Sequence, residues 1–211
     1  VAVGTGQAIK NAKNGDGDLL LVHEKELEEQ FVADGYGSKR FDLMFNDFIL
    51  VGPVDDPANV RDADNIYKAF EKIHQKRAKF LSRGDNSGTH IKELKIWNEA
   101  EIYNLSIEQE WYFESGSGMG ATLNMAVQNS AYTLCDRSTW ISFKNKSNHT
   151  ILLADTKNLI NNYGIVLLNE DKYPKLNHSG ARKLSEWLLS KKGQSAIEGF
   201  KVNNQQMFFT Q

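Results

Sequence analysis

The sequence predicts an α/β fold, on three observations. Short apolar runs of strand length recur along the chain, stretches of helical period lie between them, and glycine-rich turns join one to the next. At 211 residues the chain is one large domain or two small ones, long enough to bury a substantial core.

Val1-Ala2-Val3 reads as a buried strand, which Gly4-Thr5-Gly6 turns into a short helix from Gln7. Such a turn leaves backbone amides and one hydroxyl at the strand's carboxyl end, where open α/β sheets hold ligands. On this stretch alone, a tight turn with Thr5 as N-cap is the better account. Asn14-Gly-Asp-Gly-Asp18 has the acidity of a calcium loop, but Leu19 and Lys25 stand where glycine and glutamate would be needed, so it reads as a turn. Leu19–Val22 is continuously apolar, the pattern of a strand buried on both faces of a parallel sheet. Leu27 and Phe31 mark a short amphipathic helix ending near Gly35, and Phe48–Val51 is a further strand closed by Gly52-Pro53.

From Val60 to Lys76 the spacing of Ile66, Phe70 and Ile73 predicts a helix, with acids at its start and Lys76 and Arg77 at its end. Lys79–Ser82 is a strand leading to a polar loop, and the helix after it is expected to bury Ile91, Leu94 and Trp97. Trp111–Phe113 is a strand ending in Gly116-Ser-Gly-Met-Gly120, with a helix over Ala121–Gln128. These two glycine-rich strand-to-helix turns predict a second α/β unit. Ala131–Cys135 is a strand, Asp136–Thr139 a polar turn and Lys144–His149 a surface loop. Ile151–Leu153 and Ile165–Leu168 are short strands. Ala181, Leu184, Trp187 and Leu188 form the face of a last helix, closed by Lys191-Lys192-Gly193.

Composition excludes some classes of function. Hydrophobic content of 40% and charged content of 25% are those of an ordinary globular protein, and a net charge of −2 gives no general attraction to nucleic acid or anionic membranes. No apolar run approaches a membrane span, so direct membrane insertion is not expected. Cys135 is a lone cysteine and reads as a small buried apolar residue. The five histidines show no pair at zinc spacing, so no metal cation is expected. Asn104, Asn145, Asn148 and Asn177 head Asn-X-Ser/Thr triplets. No signal peptide is visible, and a start at Val1 reads as a mature or truncated fragment.

The chemistry concentrates in Ser82-Arg-Gly-Asp-Asn-Ser-Gly-Thr-His90. Arg83 supplies a permanent cation with a planar fork of donors. Gly84 and Gly88 allow tight turning and close approach of the backbone. Ser87, Thr89 and the amides of the next helix supply short neutral donors, a set that suits an oxyanion. A merely capped helix would need the same residues. Ser87 also lies between Asp85 and His90, the residue types of a hydrolase triad. Triad members come from separate elements, however, and the nucleophile elbow needs a glycine two before the serine. Gly116–Gly120 fits neither a phosphate loop nor the dinucleotide fingerprint.

The wider pattern resembles the tungstate-binding substrate-capturing proteins of ABC transporters, relatives of the molybdate-binding proteins. The pieces that carry the likeness are Val3–Ala8, Leu20–His23, Asn46–Pro53, Ser82–His90, Gly118–Met125, Ala131–Leu134 with Asp136-Arg137, and Lys201–Phe209. They cover essentially the whole chain in order. The resemblance implies a type II periplasmic-binding-protein fold with two α/β lobes and a ligand cleft. It implies lobe 1 over 1–53, lobe 2 over 54–162, and a return over 163–211 that completes lobe 1. It also implies a strand and helix before Val1, so that lobe 1 is N-terminally truncated here. The implied ligand is tungstate or molybdate, held by Thr5, Arg83, Ser87, Gly88 and Thr89, with Gly4, Gly6, Asp85, Asn86, Gly120 and Thr122 as secondary candidates. The implied partner is an ABC permease, the place periplasmic or extracytoplasmic, the state a monomer. The implied activity is binding, with no enzymatic step and no cofactor. A non-exported oxyanion sensor of the same fold is the alternative, and a serine hydrolase a third class.

Overall fold

The structure, a computed structural model, describes residues 1, 3–103, 105, 110–155 and 157–210. It falls into two compact units, Val1–Asn46 with Asn161–Gln211, and Asp47–Ile160. Two long strands, β2 (Gly37–Pro53) and β7 (Ile160–Leu168), carry the chain across the boundaries. Only the last third of β2 was legible as a strand in the sequence. Its earlier part alternates charged with apolar residues around Arg40 and Asp42, so no continuous apolar run marks it.

In the first unit, α1 (Thr5–Asn14) ends at Gly15, whose left-handed backbone (φ 79°) closes the helix. Strand β1 (Leu19–Val22) follows, then α2 (Lys25–Ala33). Strand β1 pairs antiparallel with β7, Leu19 opposite Leu167 and Val22 opposite Gly164, and β7 lies between β1 and β2. Ala12, Leu20, Val22, Phe31, Val166 and Leu168 form the core.

Three sequence expectations fail here. Strand β1 is not a two-sided parallel strand: Leu20 and Val22 are buried but Leu21 is 40% exposed, and β1 has no described strand on its other side. Val1 and Val3 form no strand and are exposed, beside a cavity of about 250 Å³ that Leu19–Leu21 also line; Ala2 lies outside the described residues. On α2, Phe31 is buried as expected but Leu27 faces out, and Glu28 takes the inner position by pairing with Arg40 Nε at 2.7 Å.

The unit ends with α7 (His178–Leu189), α8 (Lys191–Glu198) and a hairpin of β8 (Lys201–Val202) and β9 (Gln205–Gln206). Lys191-Lys192-Gly193 does not close α7 but opens α8. Ser190 ends the first helix and caps the second, its Oγ accepting from the Gly193 amide at 3.2 Å. Gly193 is required there, since a Cβ would stand 2.1 Å from the Trp187 carbonyl oxygen. Of the face expected to be buried on α7, Ala181 is inside but Leu184 and Trp187 are about half exposed, and Ser185 is buried in their place.

In the second unit, the end of β2 pairs antiparallel with β5 (Thr133–Asp136) and β6 (His149–Leu153). Strand β3 (Phe80–Ser82) runs parallel to β4 (Tyr112–Glu114). A short 3-10 turn at Val60–Asp62 precedes α3 (Ile66–Lys76), so the single helix expected over Val60–Lys76 is two elements. Asn65 divides them, its side chain accepting from the Lys68 amide at 3.0 Å as N-cap. Helix α4 (Gly88–Glu99) packs on α3 through Trp97, whose ring lies 4.3 Å from that of Phe70. Leu94, expected inside, is 43% exposed; Glu93, Ile96 and Trp97 are buried. Helix α5 (Met119–Asn129) follows the glycine-rich turn. The polar turn expected after β5 is a short helix, α6 (Arg137–Ser142), which Asp136 caps through the Thr139 amide. Cys135 is fully buried, and burial pushes its thiol well up. Of the four sequons, Asn104 lies outside the described residues.

Candidate functional site

Strand β3 delivers the polar loop and α4 receives it, both in the second unit. Three bonds fix the loop's backbone. Gly84 N–H donates to Ser82 Oγ at 3.2 Å, Asn86 N–H to His90 Nδ1 at 3.0 Å, and Ser87 N–H to Asp85 Oδ1 at 3.1 Å. The second bond leaves His90 Nδ1 as an acceptor, so a neutral ring carries its proton on Nε2. Gly84 takes a left-handed backbone (φ 61°), and a Cβ there would meet Glu114 Cβ at 2.7 Å. Glycine is needed at 84 on both counts. Ser115 Oγ donates to the Arg83 carbonyl at 3.1 Å, tying the loop to the end of β4.

Arg83 and Asp85 face each other, Nη2 donating to Oδ2 at 2.5 Å. Burial works to raise the Asp85 carboxyl, but hydrogen bonds from Ser87 and the charge and hydrogen bond of Arg83 outweigh it and hold it below its ordinary value. Asp85 is therefore an orienting anion that fixes the guanidinium plane. Arg83 Nε is buried and has no hydrogen-bond partner. At the other end of the same loop, the amides of Gly88 and Thr89 open α4 and have no acceptor among the described residues. A buried cationic donor and a helix N-terminus with free amides together make a receptor for an anion.

The other sequence-predicted residues divide by what already occupies them. Ser87 is the N-cap of α4: its Oγ accepts from His90 N–H at 3.4 Å and its amide is engaged by Asp85. Ser87 shapes the loop more than it offers donors. Asn86 is held in a left-handed conformation (φ 55°), and Thr89 is buried. Thr122 is fully buried and committed within the neighbouring turn, its Oγ1 2.7 Å from Ser115 Oγ and 3.2 Å from the Gly118 carbonyl. Gly120, in the first turn of α5, is exposed.

In the first unit, Gly4 rather than Thr5 is the N-cap of α1, because the residue with extended φ and ψ is Gly4; Thr5 and Gly6 are helical. Thr5 is 2% exposed, and its Oγ1 is a second buried polar atom with no partner. Two of the four such atoms among the described residues thus belong to predicted oxyanion ligands, Thr5 and Arg83. The other two are Arg40 Nη2 and Asn46 Nδ2, which border ion-pair and amide networks of the first unit.

The sequence reading passed over Ser115 and Glu93, which support the loop from β4 and α4. Glu93 had a signal: it sits three after His90 and four before Trp97, on the inner face of α4. Among the described residues no group of histidine, cysteine and carboxylate side chains is placed to hold a metal cation. Among the described residues, no helix is long and apolar enough to cross a membrane.

Residues 1–192 match the family described as PBP superfamily domain. A protein of Peptoclostridium acidaminophilum named tungstate-binding protein TupA is 47% identical over 199 residues, covering 93% of this chain and 68% of its own length. The chain belongs to the tungstate-binding proteins of the PBP superfamily. Another member-like relative, a putative ABC transporter anion-binding protein of Haloferax volcanii, is 42% identical over 99% of this chain and 62% of its own length. The chain thus spans about two thirds of the length of these relatives. The solved structure of a tungstate-binding protein from Desulfovibrio alaskensis G20 superposes with a TM-score of 0.85 at 39% identity, covering 99% of this chain and 84% of the other. The α/β fold of the periplasmic-binding-protein type is therefore established, and the relatives of this family are binding proteins, not enzymes.

Proposed function

We propose that this chain is the solute-binding component of an ABC uptake system and captures a tetrahedral oxyanion, tungstate or molybdate. The observation that carries the reading is Arg83 Nε, buried and without a partner in the loop that leads into the free amides of Gly88 and Thr89. Arg83, Gly88 and Thr89 donate to the anion from the second unit, with Ser87 and Asp85 holding the loop. Thr5, buried in the first unit with its Oγ1 unpartnered, is a further donor. The relatives' names support the ligand and the transporter partner: one is a tungstate-binding protein, another a putative ABC transporter anion-binding protein. In this proposal the protein works outside the cytoplasmic membrane, as a monomer that meets a permease.

The energy of such a site is adequate. Hydrogen bonds to a charged group contribute about 1.5–3 kcal/mol each, so five give roughly 8–15 kcal/mol before desolvation. Nanomolar binding needs about 12 kcal/mol. Calorimetric titration of the purified chain with tungstate, molybdate, sulfate and phosphate tests the proposal. Saturable binding of tungstate at one site is expected, and absence of binding to all four anions would overturn it.

A further inference from the structure

Beneath the anion loop, on the inner face of α4, Glu93 is 2% exposed in the core of the second unit. Its Oε1 accepts from Trp97 Nε1 at 3.1 Å and from Tyr112 Oη at 2.9 Å, and its carboxyl also takes a hydrogen bond from the Ser82 side chain. Ser82 Oγ in turn accepts from the Gly84 amide. Two hydrogen bonds therefore connect a buried carboxyl to the peptide that follows Arg83, whose carbonyl Ser115 holds from the other side.

We propose that Glu93 is a positioning residue for the oxyanion. Through Ser82 it sets the Gly84 amide and hence the Arg83 backbone, and its ionisation weakens the loop's hold on a dianion. The inference rests on the oxyanion-binding reading of the loop given above.

Two physical effects of the carboxyl oppose one another, and the buried charge, acting on a dianion, sets the sign. As a carboxylate, Glu93 is acceptor-only and draws the Ser82 hydroxyl proton to itself, which turns the hydroxyl's lone pairs toward the Gly84 amide. As a buried negative charge with little solvent to screen it, the same carboxylate opposes a dianion arriving at the loop. Burial pushes the carboxyl up to about 7; hydrogen bonds from Ser82, Tyr112 and Trp97 act against this, and the charge of Glu114 on β4 adds to it. The titratable groups facing Glu93 are thus Tyr112 and Glu114, both on β4; His90, on Glu93's own helix, is engaged by the Asn86 amide. Burial of the phenol, then the charge of Glu93, raise Tyr112, so Tyr112 remains a neutral donor while Glu93 titrates. A group that changes charge near neutral pH is coupled to the loop, and linkage requires the dianion to favour its protonated form.

The test uses the intact chain, wild type and Glu93→Gln, with sodium tungstate as the probe. Without ligand, the NMR signals of the Trp97 indole N–H and the Gly84 amide are followed from pH 5.5 to 9. They are expected to titrate together in the wild type and to stay flat in the variant. With tungstate, the common midpoint moves up, and calorimetric affinity falls with rising pH by at most about tenfold per unit in the wild type alone. A Gly84 amide that ignores the midpoint of the Trp97 indole, or a pH slope that survives in Glu93→Gln, overturns the inference. If tungstate fails to bind while both signals still titrate together, the oxyanion reading fails and the link from Glu93 to the loop stands on the ligand-free data.

Discussion

Replacing Arg83 probes the site at its most exposed assumption. The guanidinium spends an Nη2 N–H on Asp85 and keeps Nε buried and unpartnered, and we take Nε and one further N–H of the fork as its donors to a ligand. Each such charge-assisted bond contributes about 1.5–3 kcal/mol. Arg83→Ala removes both and also leaves Asp85 without its cation, a carboxylate now repelling the incoming dianion. A loss of about 3–6 kcal/mol follows, a weakening of roughly two to four powers of ten. Arg83→Lys keeps the charge, but a single ammonium cannot both pair with Asp85 and reproduce the fork. Its expected loss is intermediate, roughly tenfold to a few hundredfold. Calorimetric titration with tungstate reads both variants, and a thermal melt of each shows whether the fold survives. If both folded variants bind within about threefold of the wild type, Arg83 is not a ligand and the reading of its orphan nitrogen is wrong.

Two glycines carry further predictions. At Gly164 on β7 an added Cβ would stand 2.0 Å from Glu28 Oε2 and 2.9 Å from Arg40 Nη2. Gly164→Ala therefore forces apart a buried ion pair, and a loss of about 3 kcal/mol or more is expected in denaturant unfolding; a change under about 1 kcal/mol would contradict the packing described. Gly84→Ala places a Cβ in a left-handed backbone against Glu114, at a strain of about 1–2 kcal/mol before the clash is counted. Weakened tungstate binding is expected, with a smaller effect on the melting temperature; unchanged affinity would show that the loop's conformation does not govern the site.

What the sequence made legible was local chemistry. The loop Ser82–His90 declared itself because arginine, glycines and short hydroxyl residues sit between a strand and a helix, and its structure follows from those residues. Asn65, Asp136 and Ser190 cap helices through short-range bonds, yet only hindsight on the hydrogen bonds divides the stretch 60–76 or separates α7 from α8. Burial was the harder inference. Leu21, Leu27, Leu94, Leu184 and Trp187 fit apolar periods but are exposed, because period alone does not say which face another element covers. The converse holds at Glu28 and Glu93, charged residues at core positions; Trp97 reaches Glu93 from one turn away, but Arg40 in one case and Ser82 and Tyr112 in the other come from elsewhere in the chain. Arg40 and Tyr112 lie 12 and 19 positions away, and no local pattern pairs them with those glutamates.

The central claim is that the loop of β3 and α4 is the receptor for the anion. Crystals of the chain grown with tungstate, measured at the tungsten absorption edge, locate the metal without reference to any assumed ligand. The account predicts one strong anomalous peak with its oxygens in hydrogen-bond reach of Arg83 Nε and the Gly88 and Thr89 amides. A peak elsewhere, with that nitrogen and those amides left to solvent, would contradict it.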